Sequence, residues 1–252
     1  MADHPDSVLA EVCVGAFATA SVPLPEIAAR RAAPGPQGSK PVPLKHMKHA
    51  DDQTVVGISA LLHAVHAAGW GNASFHDWGA IGVPRFVGRM NIAVAVSQSL
   101  HDPTWGVSPN IIPNQSLHSL SGTISLALGL HGPNFGVGGG PNAVAEGLLT
   151  AISSIQSDRL PGLWVVLSQF DPEPIPDEKG VSAIPVTCMA AAIALISTRP
   201  GRSVLRLVAR RSTAAGGTAL PRLIDFLGKP AGANSAWECP VNGVGTLELT
   251  VT

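Results

Sequence analysis

Charged residues are scarce in this 252-residue sequence. They make up 13% of it, with 16 basic and 17 acidic side chains. A balance so near zero argues against general nucleic-acid binding, which needs a basic surface. Cysteine is scarcer still. Cys13, Cys188 and Cys239 share no metal-like spacing, and the first two lie in apolar runs, so buried free thiols are expected. No segment supplies the ~20 uninterrupted apolar residues of a membrane span. Residues 1–7 are acidic and polar, not basic then apolar as in a signal peptide. A soluble, cytoplasmic protein is expected. Tyrosine is absent altogether, and nothing in the sequence accounts for it.

Apolar residues are plentiful. At 45% they suffice for a buried core and are too many for a disordered chain. The length fits one large domain or two small ones. So little charge also leaves room for an apolar surface that a partner covers.

The organising stretch is residues 108–151, SPNIIPNQSLHSLSGTISLALGLHGPNFGVGGGPNAVAEGLLTA. It reads as loop, helix, short strand, glycine turn and second helix. Ser116 and Ser119 are placed to cap the first helix, whose apolar positions are Leu120, Ile124, Leu126, Leu128 and Leu130. Gly132 and Pro133 end it. Asn134, Phe135, Gly136 and Val137 form a short extended run. Gly138, Gly139 and Gly140 permit a turn that a side chain would forbid. Pro141 suits the first position of the next helix, which buries Val144, Leu148, Ala151, Ile152 and Ile155.

Strand, strained turn and helix together are the geometry of a nucleophile elbow, which holds one residue at a helix N-terminus. Here that residue is Pro141, flanked by Gly140 and Asn142. None of the three has a thiol or hydroxyl. The run SLHSLSGTISLALGLHGPN resembles the segment before the active-site cysteine of β-ketoacyl synthases of the thiolase fold. The spacing from Gly132 and Pro133 puts Pro141 where those enzymes carry cysteine. LWVVLSQFDPEPIP resembles a truncated branch of that family, which includes chain-length-factor-like partners of ketosynthases in aryl-polyene-type pathways. The resemblance covers roughly residues 44–212.

It implies an α/β thiolase-like half-fold: a mixed five-stranded sheet, a buried central helix and covering helices. Residues 1–213 would form the ketosynthase-like domain, and 214–252 an extension with a short helix and a final strand. In the family a cysteine attacks the thioester, and two histidines from the second half stabilise the oxyanion and assist decarboxylation. Pro141 replaces the cysteine, and most of the region that supplies the histidines is missing. Dimers in the family pair through the strand before the elbow, here Asn134 to Val137. The loop before the central helix lines the partner's acyl pocket, with Ile111 at the inward position. The helix over 86–100 should lie beside it, with Met90 and Val94 one turn apart on one face.

Elsewhere the pattern predicts strands over 8–21, 78–83, 163–170 and 243–251, and helices over 51–68 and 220–227. Residues 22–43, with six prolines, read as a surface loop. Residues 186–197 and 203–212 flank a turn and read as an antiparallel hairpin. His46 and His49, like His63 and His66, are three apart on presumed helix, but no further ligands complete a metal site. His118 and His131 read as structural hydrogen-bonding groups. The triple glycine lacks the lysine of a phosphate loop. No cofactor is expected. Arg30, Arg31, Lys45 and Lys48 form a basic patch, read either as a solvated surface or as a contact for an acidic acyl carrier protein.

The function implied is a non-catalytic subunit that dimerises with an active ketosynthase and shapes its acyl tunnel, in fatty acid or polyketide (polyene) synthesis. Two rivals remain: an acyl-thioester hydrolase or acyltransferase with an unrecognised nucleophile, and a homodimeric acyl-binding or structural protein.

Overall fold

In chain order the elements are β1 (Ser7–Pro23), α1 (Ile27–Ala32), α2 (Leu44–Met47), α3 (Asp52–Ala67), β2 (Gly79–Pro84), α4 (Arg89–His101), α5 (Ile111–Asn114), α6 (His118–Leu128), β3 (Asn134–Gly136), α7 (Ala143–Asp158), β4 (Gly162–Asp171), β5 (Thr187–Ile196), β6 (Val204–Ala209), α8 (Ala219–Leu227), β7 (Ala236–Val241) and β8 (Gly245–Thr250). The structure is a computed structural model that describes residues 7–39, 42–102, 107, 109, 111–197, 204–209, 219–229, 236–241 and 245–250.

The strands form one mixed sheet in the order β3-β2-β4-β5-β1-β6-β8-β7. β3, β2 and β4 are parallel, and the remaining neighbours pair antiparallel. The expected five-stranded mixed sheet is the run from β3 to β1, and the sheet continues beyond it through three more strands. The expected hairpin of 186–197 with 203–212 does not form. β1 lies between β5 and β6, and Cys13 pairs with Ile196 on one edge and Val204 on the other. At 17 residues, β1 is long enough to serve both neighbours. Residues 210–212 lie outside the described residues.

Helices cover both faces, and the period-2 alternation of the strands divides the core accordingly. On β4, Trp164, Val166 and Phe170 face one cluster with α3 and α6, while Leu163, Val165 and Leu167 face another with α7 and α8. On β5 the first face carries Cys188, Ala190, Ala192 and Ala194, small residues that let α3 approach closely. β1 changes parity along its length. Val12 and Val14 join the second cluster, whereas Ala16, Ala18 and Ala20 pack on the first. A register irregularity between Val14 and Ala16 makes the switch, since one extra residue turns the side chains that follow to the opposite face.

The expected buried helix is α6, with Leu120, Ile124 and Leu128 in the core and Leu126 exposed. It ends earlier than predicted, at Gly129 with φ 70°, because this glycine already supplies the left-handed C-cap. The expected serine caps are also corrected. The N-cap is Leu117, without a side-chain cap bond. Ser116 donates to the Pro113 carbonyl at 3.4 Å, and Ser119 lies inside the helix, buried against α3. Residues 22–43 are not wholly loop. α1 forms between the prolines and anchors itself through buried Ile27.

Candidate functional site

The elbow lies at the C-terminal ends of the parallel strands. β3 pairs with β2 over three residues, and the Val137 N–H donates to the Gly82 carbonyl at 2.9 Å. The chain then turns through Gly138 (φ 92°) and Gly139 (φ 88°), conformations that disfavour any side chain. A Cβ on Gly138 would stand 2.8 Å from that of Ala143, so the turn is also spatially closed. Gly140 has no positive φ and open space around it. Pro141 is exposed and belongs to the turn. α7 begins two residues later, at Ala143 with Asn142 as N-cap, so Pro141 does not occupy the first helical position as predicted. The turn is tightened instead by the Ala143 N–H donating to the Gly140 carbonyl at 3.2 Å. The five core positions predicted for this helix are all buried.

The cysteines are free and buried, away from the elbow. Burial, and after it the carboxylates of Asp51, Asp52 and Glu173, push the Cys188 thiol well above its ordinary value, so it stays protonated and unreactive. His118 Nδ1 lies 3.2 Å from the Ser121 hydroxyl, and His131 stacks on His76 at 4.3 Å. His49 falls beyond α2, so it shares no helix with His46. Among the described residues no three His, Cys, Asp or Glu side chains come together as a metal site would need.

Of the three residues expected to face an acyl tunnel, two meet. Val94 of α4 and Ile111 of α5 line one cavity of about 380 Å³, together with Ala95, Val107, Arg31, Lys48, His49 and Gln115 among others. Met90 is buried in the core and is not among the lining residues. The cavity is more polar than an alkyl tunnel requires. Arg31 and Lys48 of the expected basic patch, with His49, form its cationic side; that they meet α4 went unread because they are remote from it in sequence.

Two polar clusters support this region. Asp51 caps α3: its carboxylate accepts the Thr54 N–H at 2.9 Å and the Thr54 hydroxyl at 3.2 Å, and Ser119 of α6 donates to it at 3.4 Å. Burial raises its pKa to about 6, against the pull of those Thr54 bonds. Arg31 pairs with Asp52 at 2.9 Å and donates to the carbonyls of Met47 and Ala50. At the ends of β2 and β4, Glu173 lies 3.8 Å from Arg85 and 3.6 Å from Arg89, and both guanidinium groups lie over the Phe86 ring. Burial raises the Glu173 pKa, and the two arginines partly offset it. Gln53 ties this cluster to α3 by donating to the Arg85 carbonyl at 2.8 Å.

No family model and no curated protein matches the sequence. Solved structures do match in fold. A β-ketoacyl synthase from Burkholderia phymatum STM815 aligns with TM-score 0.51 at 14% identity, over 75% of this chain and 60% of that one. The ishigamide ketosynthase/chain length factor aligns with TM-score 0.52 at 16% identity, over 78% and 65%. A ketosynthase in complex with its chain length factor, from Xenorhabdus doucetiae, aligns with TM-score 0.56 at 15% identity, over 95% of this chain and 99% of that one. The chain thus spans less than two thirds of the length of the first two. At these identities the likeness is one of fold: the thiolase-type fold of the ketosynthases. Among the described residues no helix is long and apolar enough to cross a membrane.

Proposed function

From a ketosynthase fold whose elbow presents proline, we propose that this chain is a non-catalytic, chain-length-factor-like subunit. It pairs with an active β-ketoacyl synthase, to which a carrier protein delivers acyl groups, and it walls part of the acyl tunnel in fatty acid or polyketide synthesis. Pro141 carries the reading. A proline at the head of the elbow has neither a nucleophile nor an N–H, so the turn keeps its shape and loses its chemistry. The fold's likeness to a ketosynthase in complex with its chain length factor supports the same reading.

The pairing proposed runs through Asn134, Phe135, Gly136 and Val137. β3 is an edge of the sheet, and an edge strand offers free backbone groups to another chain. The control of length is steric: side-chain volume at Ile111 and Val94 limits how much chain fits, at roughly 0.8 kcal/mol for each buried CH₂.

Co-expression with an active β-ketoacyl synthase, followed by mass measurement of the complex, tests the pairing. A one-to-one complex with condensing activity is expected, and none from this chain alone. Pro141→Cys should leave the isolated chain inactive, because a thiol alone does not supply the two histidines that the family mechanism also needs. Decarboxylative condensation by the isolated wild-type chain would sink the proposal. Acyl-thioester hydrolysis by it would point to an enzyme in its own right.

A further inference from the structure

The cavity at α4 and α5 combines two kinds of surface. Val94, Ala95, Val107 and Ile111 are apolar, whereas Arg31, Lys48 and His49 are basic, and among the described residues no carboxylate lines it. The basic segment is held in place. Arg31, itself fixed by Asp52, donates to the carbonyls of Met47 and Ala50, which bracket Lys48 and His49 in the chain. Arg31 is therefore neutralised by its partner. Among the described residues no ion pair engages Lys48. Gln115 adds a polar group without a partner: its side-chain oxygen is buried and unbonded, on a residue that lines the same cavity. An amide can present either its oxygen or its NH₂ to a ligand.

We infer that this cavity binds a small amphiphilic anion, with a carboxylate or phosphate head at Lys48 and His49 and a short aliphatic tail against Val94, Val107 and Ile111. The inference rests on the reading of Ile111 and Val94 as ligand-facing, and it narrows that reading. A purely apolar tunnel would reject such a head, since an unpaired charge is costly away from water. Here Lys48 supplies a charge-assisted partner, and Gln115 can donate from its amide. At about 380 Å³ the cavity is at the small end of ligand sites, which fits a tail of about eight carbons rather than a long chain.

Titration calorimetry on the whole chain tests this with octanoate, octyl phosphate, octanol, octylammonium and inorganic phosphate. At least one octyl anion should bind tenfold or more tighter than octanol, and octylammonium should not bind. Binding by octanoate alone assigns a carboxylate head, and by octyl phosphate alone a phosphate head. Lys48 is exposed, so Lys48→Glu should fold normally, weaken the anion tenfold or more and leave octanol unchanged. Ile111→Trp should weaken octanol and the octyl anions tenfold or more, with an unchanged circular dichroism spectrum. Octanol binding as tightly as both anions, or an anion affinity insensitive to Lys48→Glu, would overturn the inference. So would inorganic phosphate binding as tightly as octyl phosphate, since the tail would then contribute nothing. These outcomes leave the pseudo-subunit reading standing, because that reading is decided by condensation in the complex.

Discussion

Asp51 is a helix cap whose charge is out of place. The residue is 3% exposed, and burial raises its pKa from the usual 3.8 to about 6. Between those values the folded protein holds a proton that the unfolded chain has released. Stability therefore falls as pH rises from about 4 to about 6, and above that Asp51 costs about 3 kcal/mol. Asp52 and Glu173 are shifted in the same direction by burial and add to the same slope. Asparagine keeps an oxygen for the Thr54 N–H and gains an NH₂ for the Ser119 hydroxyl, without the charge. Asp51→Asn should match or exceed the wild type in stability at pH 7 and show a shallower slope between pH 4 and 6. Urea unfolding across that range measures it, and an unchanged slope would show that Asp51 does not carry the dependence. The sequence revealed Asp51 as a helix start. It could not reveal the burial, because Ser119, 68 positions away, closes over it only in the folded chain.

At the scale of the element, three glycines in a row announced a turn but not which of them the turn requires. The structure divides them. Gly138 combines a positive φ with a near contact to Ala143, Gly139 has the positive φ and a 3.0 Å approach to the Leu117 side chain, and Gly140 has neither constraint. Valine at Gly138 should cost several kcal/mol, valine at Gly139 nearly as much, and valine at Gly140 little. Thermal denaturation of the three variants gives the ranking, and equal stabilities would contradict the elbow geometry. The ends of α6 were misread for a related reason. Gly129 and Gly132 are equally good helix stops by sequence. What separates them is tertiary: a Cβ on Gly132 would stand 2.6 Å from the Trp78 carbonyl, so that glycine serves the approach to β2 rather than the cap. Ser119 likewise fits a cap by type, but a buried carboxylate across the helix interface claims its hydroxyl.

Across the whole molecule, the strands that read correctly are those whose burial is written locally. β4 is buried over nine consecutive positions and appears in the sequence as a nearly continuous apolar run. The placing of β1 between β5 and β6 is not local, since Cys13 meets residues more than 180 positions away, and adjacency in sequence suggested a hairpin instead. β7 was missed because Pro240 breaks its pattern; the strand tolerates that proline because it is an edge of the sheet.

The last prediction belongs to the assembly. Val94 and Ile111, seventeen positions apart, reach one cavity because α4 and α5 meet there, while Met90 turns into the core. If this cavity joins the partner's tunnel, filling it with Ile111→Trp should shorten the products of the complex without preventing assembly. Met90→Ala should act differently, destabilising the fold by about 2–5 kcal/mol through the void it leaves and not by lengthening the tunnel. Product distributions from complexes of matched stoichiometry separate the two effects. An assembled Ile111→Trp complex with unchanged products would show that the chain is measured elsewhere.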